Sequence, residues 1–354
     1  MHMRTFLAVT ALSLCSAIGL APAADAAVAP PGMPPKGKVL LGVGGTALNP
    51  TQFGRMTGAQ HKLHLITVTW DERREQGWHY ALIRQFEAAK AGNYRLAIHI
   101  GASKSNGVEG RSPGAVAVGA ADAYLLDLGR EINEEDVYVY VRPPAEMNGH
   151  WSTWSAFNKS GSRRNAQHST TQYKRAFMRI AEIVRGGSVP AINARLKSHG
   201  MPALKTSATT LPSSGKVALI WNPQAEGSPN VRGNQPADYY PGKQYVDYVA
   251  TDMYEQNGKA AWAQNNAFYA KYSKTHPFMV AEFAPWGYDG ASYVSRMFAW
   301  AAARPRFVAL MYFNGTGGGT FRLSSKPNTL RTYSKLAKGA RYRCGGFSGL
   351  SATC

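Results

Sequence analysis

A barrel of eight parallel strands alternating with helices, (β/α)8, is the fold that the sequence predicts. Three observations lead there. Eight short aliphatic runs with strand character recur between Val39 and Phe313, segments of helical spacing separate most of them, and no linker divides the repeat. A length of 354 residues alone suggests two domains, but the unbroken rhythm favours one, spanning 39–354 with a C-terminal tail. A doubly wound open sheet is the competing architecture. It wants a Gly-x-Gly-x-x-Gly turn after the first strand, and Gly42-Val43-Gly44-Gly45 is too short a cluster.

Residues 1–27 read as an export signal, with Arg4, an apolar run from Phe6 to Leu20 and Ala24-Asp25-Ala26 as a small-x-small cleavage pattern. No later segment is apolar for long enough to span a bilayer, so a soluble, secreted, extracellular chain is expected once the signal is removed. The Pro-rich leader, 28–38, reads as an extended linker. Strands are then expected at 39–43, 63–70, 95–100, 136–142, 217–221, 246–253, 278–283 and 307–313, from β-branched and aromatic runs bounded by turn residues. Helical spacing marks 80–91, 121–132, 173–185, 261–272 and 293–303; Phe177, Ile180, Ile183 and Val184 form the stripe of the third. The helix after the first strand is weakly marked. Residues 155–169, 224–240 and 286–290 follow strand C-termini, where barrel enzymes build their sites, whereas 186–215 precedes a strand and reads as an insertion on the far face.

Cys15 leaves with the signal, so Cys344 and Cys354 remain, and in an exported chain they are expected to pair and pin the tail. Lys and Arg number 40 against 21 Asp and Glu, a formal charge of +19. The surplus leaves room for an anionic cell-wall polymer as partner, but its spread along the chain favours a solvated basic surface. No nucleic-acid motif accompanies it. No histidine-carboxylate spacing suits a catalytic metal, and no phosphate loop or Ser-His-Asp set appears; neither metal nor cofactor is expected, and a monomer is.

The chemistry concentrates at two strand ends. In Asp136-Val-Tyr-Val-Tyr-Val-Arg142, Arg142 shares a face with Tyr138 and Tyr140, and a buried arginine demands a counter-charge. After Pro143 and Pro144 come Glu146, Asn148, Trp151 and Trp154: a carboxyl that can protonate a glycosidic oxygen beside indoles that stack on pyranose C–H faces. The bland alternative is a surface loop with capping tryptophans. The partner carboxylate closes another strand, where Phe278, Val280 and Glu282 are spaced to share a face and Pro285-Trp286 follows. The two strands are the fourth and seventh, so Glu146 and Glu282 are expected to face each other across the mouth, with Arg142 paired to Glu282. Trp70, Trp221 with Asn222, and Trp286 stand just past or at strand ends as candidate sugar platforms. His99 is a candidate contact, and Asp252 and Glu255 are alternative acids.

Read in order, Arg142-Pro143 through Glu146-Met147-Asn148-Gly149 with Trp151 and Trp154, then Trp221-Asn222-Pro223, Tyr240-Pro241-Gly242, Asp252-Met253-Tyr254 and Ala281-Glu282-Phe283 resemble the motifs of glycoside hydrolase family 26. The resemblance runs from about Val39 to Asn314. It implies a retaining barrel enzyme acting on a β-linked polysaccharide, most often β-mannan, with mixed-linkage β-glucan and β-1,3-xylan as alternatives and a non-catalytic glycan-binding barrel as the rival. It further implies Glu146 as acid/base, Glu282 as nucleophile, Tyr254 as a hydrogen-bond donor to the nucleophile and Trp151 as part of the sugar platform. Ala145 departs from the pattern, since mannanases of the family usually carry histidine there.

Overall fold

The computed structural model describes residues 29–70, 78–315 and 319–343. The export signal and the Cys344–Cys354 pairing lie outside them. Eight parallel strands close on themselves: β1 (Leu40–Gly44), β2 (Leu63–Val68), β3 (Arg95–Ile100), β4 (Val139–Arg142), β5 (Val217–Trp221), β6 (Tyr248–Glu255), β7 (Phe278–Pro285) and β8 (Phe307–Phe313). Each strand pairs with its sequence neighbours, and β1 closes on β8 through Leu40–Gly44 against Ala309–Phe313. Alternation sorts the side chains. Leu63, Leu65, Ala97, Tyr140, Ile220 and Met279 fill the interior, while Val43, Ile98, Val141 and Leu219 face the helices. Gly42 is required by this packing, because a Cβ there would lie 2.6 Å from Met311 Cγ and 2.8 Å from Leu63 Cβ.

The helices are α1 (Pro50–Thr57), α2 (Trp78–Gly92), α3 (Pro113–Ala117), α4 (Asp122–Glu134), α5 (Thr170–Arg185), α6 (Val189–Ser198), α7 (Trp262–Tyr272), α8 (Ala291–Ala302) and α9 (Pro327–Ala337). The weakly marked α1 is only two turns long and is specified by its start: Asn49 and Gln52 cap each other's backbone N–H and Pro50 occupies the first turn. No helix joins β5 to β6. Two short 3₁₀ turns, Pro236–Tyr239 and Lys243–Tyr245, bridge the strands instead, leaving residues 222–235 for the mouth. The insertion at 186–215 forms α6 and a two-residue antiparallel ribbon that lead into β5, as expected for the face opposite the mouth.

The leader corrects the expectation of an extended linker. Met33 packs against the barrel interior, and buried Arg95 donates to Gly32 O at 2.6 Å. Tyr140 also donates its hydroxyl to Gly32 O, and Tyr248 donates to Pro31 O at 2.8 Å. Gly32 has φ +74 with the Tyr140 ring against its Cα, so no larger residue fits that turn. The prolines therefore close the lower end of the barrel, a role that composition does not distinguish from a tether.

His61 and His64 lie buried near the β1–β2 side, and burial pushes each imidazole down to about 4 from 6.5. The unfolded chain takes up these protons near pH 6.5 and the folded barrel resists them until about pH 4. Their stabilising contribution is therefore complete above pH 6.5 and drains as pH falls through that window, by on the order of a few kcal/mol. Urea unfolding should show a lower midpoint at about pH 4.5 than at about pH 7, and a His61→Gln, His64→Gln variant should show a flatter profile. An unchanged slope in the variant would contradict this origin of the acid sensitivity.

Candidate active site

Pro143 and Pro144 end β4 because neither can donate to a ladder, and the chain turns across the mouth. Glu146 takes φ +51, a left-handed conformation costing about 1–3 kcal/mol in a residue with a Cβ. Glu146 N donates to Asn222 O at 2.8 Å, and Gly149 N donates to Glu146 O at 2.8 Å, which hold it there. Asn148 fastens this turn to the loop after β5, its Oδ1 accepting from Gln224 N and its Nδ2 donating to Gln224 O, each at 2.9 Å. The Glu146 carboxyl is consequently fixed between two loops. Trp151 Nε1 donates to Glu146 Oε2 at 2.6 Å, and Gln224 Nε2 donates to Oε1.

Glu282 reaches the mouth by a route the alternation did not foresee. Phe278 and Val280, expected to share its face, pack outward beneath the helices, while Met279 and Ala281 face the interior. Between Val280 and Glu282 the register advances two residues on β7 and one on β6, from Thr251 to Asp252. That β-bulge turns Glu282 inward beside Asp252. There Arg142 Nη2 donates to Glu282 Oε1 at 2.5 Å and Tyr254 OH donates to Oε2 at 2.6 Å. Arg142 is buried and also lies 3.5 Å from Asp252 Oδ1, 3.2 Å from Asn222 Oδ1 and 3.3 Å from His99 Nδ1. The counter-charge that the β4 pattern demanded is thus Glu282 together with Asp252.

The environments of the carboxyls differ. Both oxygens of Glu282 accept from strong donors, Arg142 and Tyr254. Burial, then the charge of Glu282, raises Glu146 above the usual carboxylate range, while Trp151 and Arg142 pull the other way. Asp252 is raised well above its ordinary value, first by burial and then by Glu282. Burial and Arg142 hold His99 well below 6.5, so it meets the guanidinium as a neutral acceptor. These groups open into a cleft of about 500 Å³ lined by Glu146, Trp151, Gln224, Asp252, Tyr254, Glu282 and Trp286, among others. No group of three His, Cys, Asp or Glu side chains among the described residues suits a metal ion.

Of the expected platforms, Trp151 and Trp286 stand in the cleft, 52% and 44% exposed. Three other tryptophans, and Asn148 as an expected substrate contact, are corrected. Trp70 and Trp154 are buried and stacked 6.2 Å apart, with their indole N–H groups on Gly101 O and Arg111 O. Trp221 is buried outward against Tyr240, Phe268 and Tyr272, and Asn148 is buried as the loop fastener. A tryptophan one residue past a strand end faces core or mouth according to strand parity and loop path, which composition does not encode. Asn222 and His99 join the site through Arg142. Glu255 accepts from Tyr288 OH. Sequence reasoning missed Gln224, Gln256, Asn265, Phe313 and Phe321 as cleft residues; the loop position of Gln224 was the one available signal.

No protein-family model matches the chain. Endoglucanase H of Acetivibrio thermocellus is 23% identical over 227 residues, covering 61% of this chain and 22% of that protein, so the chain spans about a fifth of that relative's length. Among solved structures, an endo-β-1,4-mannanase double mutant from Cellulomonas fimi matches with TM-score 0.59 at 17% identity, over 86% of this chain and 72% of that one. A Bacillus subtilis mannanase matches at 0.56 and 14%, over 86% of each chain. A family 26 β-mannanase from Bacteroides ovatus matches at 0.54 and 14%, over 89% and 93%. These likenesses establish the (β/α)8 barrel fold. The proteins sharing it include members of the family whose motifs the sequence resembles.

Arg142→Met leaves buried carboxyls without their cation and should destabilise the barrel by about 3–5 kcal/mol. A carboxyl whose pKa rises on folding costs stability as pH climbs through its ordinary range, and without the guanidinium that cost grows. The deficit in urea unfolding should therefore be larger at about pH 8 than at about pH 5. A variant as stable as the parent at both would refute the pairing.

Proposed function

We propose that the chain is a secreted, retaining endo-glycoside hydrolase that cleaves a β-linked polysaccharide, with Glu146 as acid/base and Glu282 as nucleophile. The observation that carries this reading is the unequal treatment of two carboxyls in one cleft. Glu282 has both oxygens held by Arg142 and Tyr254, whereas Glu146 is pushed toward its protonated form by burial and by Glu282. Carboxyls held in such unlike environments divide naturally into acid and nucleophile.

In the first step Glu282 attacks the anomeric carbon while Glu146 delivers its proton to the departing glycosidic oxygen, giving a glycosyl ester and a shortened chain. In the second, Glu146 takes a proton from water, the water oxygen attacks the anomeric carbon, and Glu282 departs as carboxylate. Tyr254 and Arg142 hold the two oxygens of the nucleophile and aim it. Exposed Trp151 and Trp286 offer indole faces to pyranose rings at the cleft.

β-Mannan is the first candidate substrate, from the motif resemblance and the mannanases that share the fold. β-Glucan is the second reading. It is favoured by Ala145 in place of histidine beside the acid and by a relative named for endoglucanase.

The test is reducing-sugar release from galactomannan, barley β-glucan, laminarin, β-1,3-xylan, carboxymethyl cellulose and an acidic polysaccharide. Activity on one neutral polymer is expected, with kcat falling by at least about 10³-fold in Glu282→Ala. A folded protein that binds a glycan but releases nothing from any polymer would replace this reading with a glycan-binding barrel.

A further inference from the structure

The positive surplus is not spread evenly around the barrel. From Gln256 to the end of the chain, 13 lysines and arginines stand against two acids, Glu282 and Asp289, and residues 29–70 add four cations and no acid. The fold joins these stretches, because β1 closes on β8. Helices α7, α8, α9 and α1 follow one another around the barrel, with Trp262 against Tyr293, Phe298 against Tyr333 and Phe53 against Tyr333 at ring-centroid distances of 5.8, 5.4 and 6.0 Å. None of the four helices contains an acidic residue. Glu282 and Asp289 lie toward the mouth, and Asp289 is engaged at the start of α9, accepting from Asn328 N at 3.0 Å and Thr329 N at 2.6 Å.

Within this arc one stripe is exposed and unpaired. Arg331, Lys335 and Lys338 recur at i, i+4 and i+7 along α9 and its C-cap, so they share the outer face, about 6 and 4.5 Å apart along the axis. Lys338 reaches the end of α1. A Cβ on Gly58 would lie 3.0 Å from its Nζ, and Arg55 stands in the last turn of that helix. All four side chains are exposed, and among the described residues no ion pair holds any of them, whereas Lys90, Arg179, Arg185 and Arg195 elsewhere on the barrel each pair with a carboxylate. Like charges at this spacing destabilise a helix, and an external anion relieves the repulsion. Segment 71–77 holds Asp71, Glu72 and Glu75, but it joins the mouth end of β2 to the start of α2. The end of α9 lies at the floor instead, where Arg341 O accepts from Val39 N at 3.0 Å. The tail that follows, 344–354, contains no acid.

The chemistry of the face selects among polyanions. The exposed large apolar side chains among the described residues are Tyr80, Val108, Val118, Trp151 and Trp286, and none of them belongs to the four helices of the arc. The stripe therefore offers neither a stacking platform for bases nor an apolar edge for a bilayer. A linear polyuronate asks for neither. It presents one carboxylate per sugar unit along an extended chain, which a row of regularly placed cations matches.

We propose that Arg331, Lys335 and Lys338 of α9, with Arg55 of α1, form a docking surface for an acidic polysaccharide of the polyuronate type. The surface lies on the flank of the barrel and leaves the mouth open, so the protein can sit on a charged matrix with its cleft free. This docking does not depend on the reaction assigned to the cleft.

The experiment is titration calorimetry of the chain from Val28 onward with polygalacturonate, at low and at physiological salt. The docking variant combines Arg55→Gln, Arg331→Gln, Lys335→Gln and Lys338→Gln. A control of equal net charge combines Lys159→Gln, Lys197→Gln, Lys205→Gln and Arg232→Gln, four exposed cations outside the arc. The docking variant should bind at least about tenfold more weakly and with a flatter salt dependence, and the control should lose less than about threefold. Equal losses in both would mean attraction to net charge alone and overturn the surface, as would failure of the parent to bind. Tighter binding of polyphosphate, or of phosphatidylglycerol vesicles, that is lost in the docking variant overturns the choice of a polyuronate. The urea midpoint of the docking variant should be no lower than the parent's, because only repulsion is removed. Should it fall, Lys335→Gln and Lys197→Gln compared singly decide the matter, with about a twofold loss expected in the first alone. Hydrolysis of a soluble neutral polymer should be unchanged in the docking variant, and a parallel loss there would overturn the separation of this surface from the cleft.

Discussion

One guanidinium holds the mouth of the barrel together. Arg142 is buried at the end of β4 and touches Glu282 and Asp252, with Glu146 near enough for its charge to be felt. Three carboxyls crowded away from water repel one another, and burial alone favours their neutral forms. A cation fixed beside one of them breaks the symmetry. Arg142 and Tyr254 both donate to Glu282, and burial, then the charge of Glu282, raises Glu146 and Asp252. The division of labour proposed for the two glutamates is therefore a consequence of where one arginine lies.

The backbone supplies what the charges need. A bulge in β7 turns Glu282 inward, and the left-handed turn at Glu146 is held by the loop after β5. That loop is long because a helix is missing between β5 and β6, and its Gln224 completes the contacts of Glu146. Asn148 belongs to this support, joining the two loops from beneath without entering the cleft. Strain at Glu146, an interrupted ladder at β7 and a lost helix are all local departures from the ideal barrel, and all three fall at the site.

Much of this was legible in the sequence, for reasons that also explain what was not. The eight strands are aliphatic runs between turn residues, and their positions follow from composition and period. Arg142 among valines and tyrosines announced a buried counter-charge, which is why its pairing with Glu282 was readable without coordinates. The parity of Glu282 was not, because a bulge has no pattern of its own. Trp70, Trp154 and Trp221 carried the same local signal as Trp286 and Trp151, yet the first three fill the core. The leader's prolines read as a tether, although Pro31, Gly32 and Met33 seal the barrel floor. Asn265 lies inside a helix, where nothing local marks a residue that tertiary packing turns toward the cleft.

The most direct test of the account is the anomeric configuration of the first sugar released, followed by proton NMR while the wild-type protein cleaves a β-linked oligosaccharide. Double displacement through Glu282 predicts that the β-anomer appears first and mutarotates afterwards. Initial appearance of the α-anomer would mean a single inversion by water, and Glu282 could not then be the nucleophile.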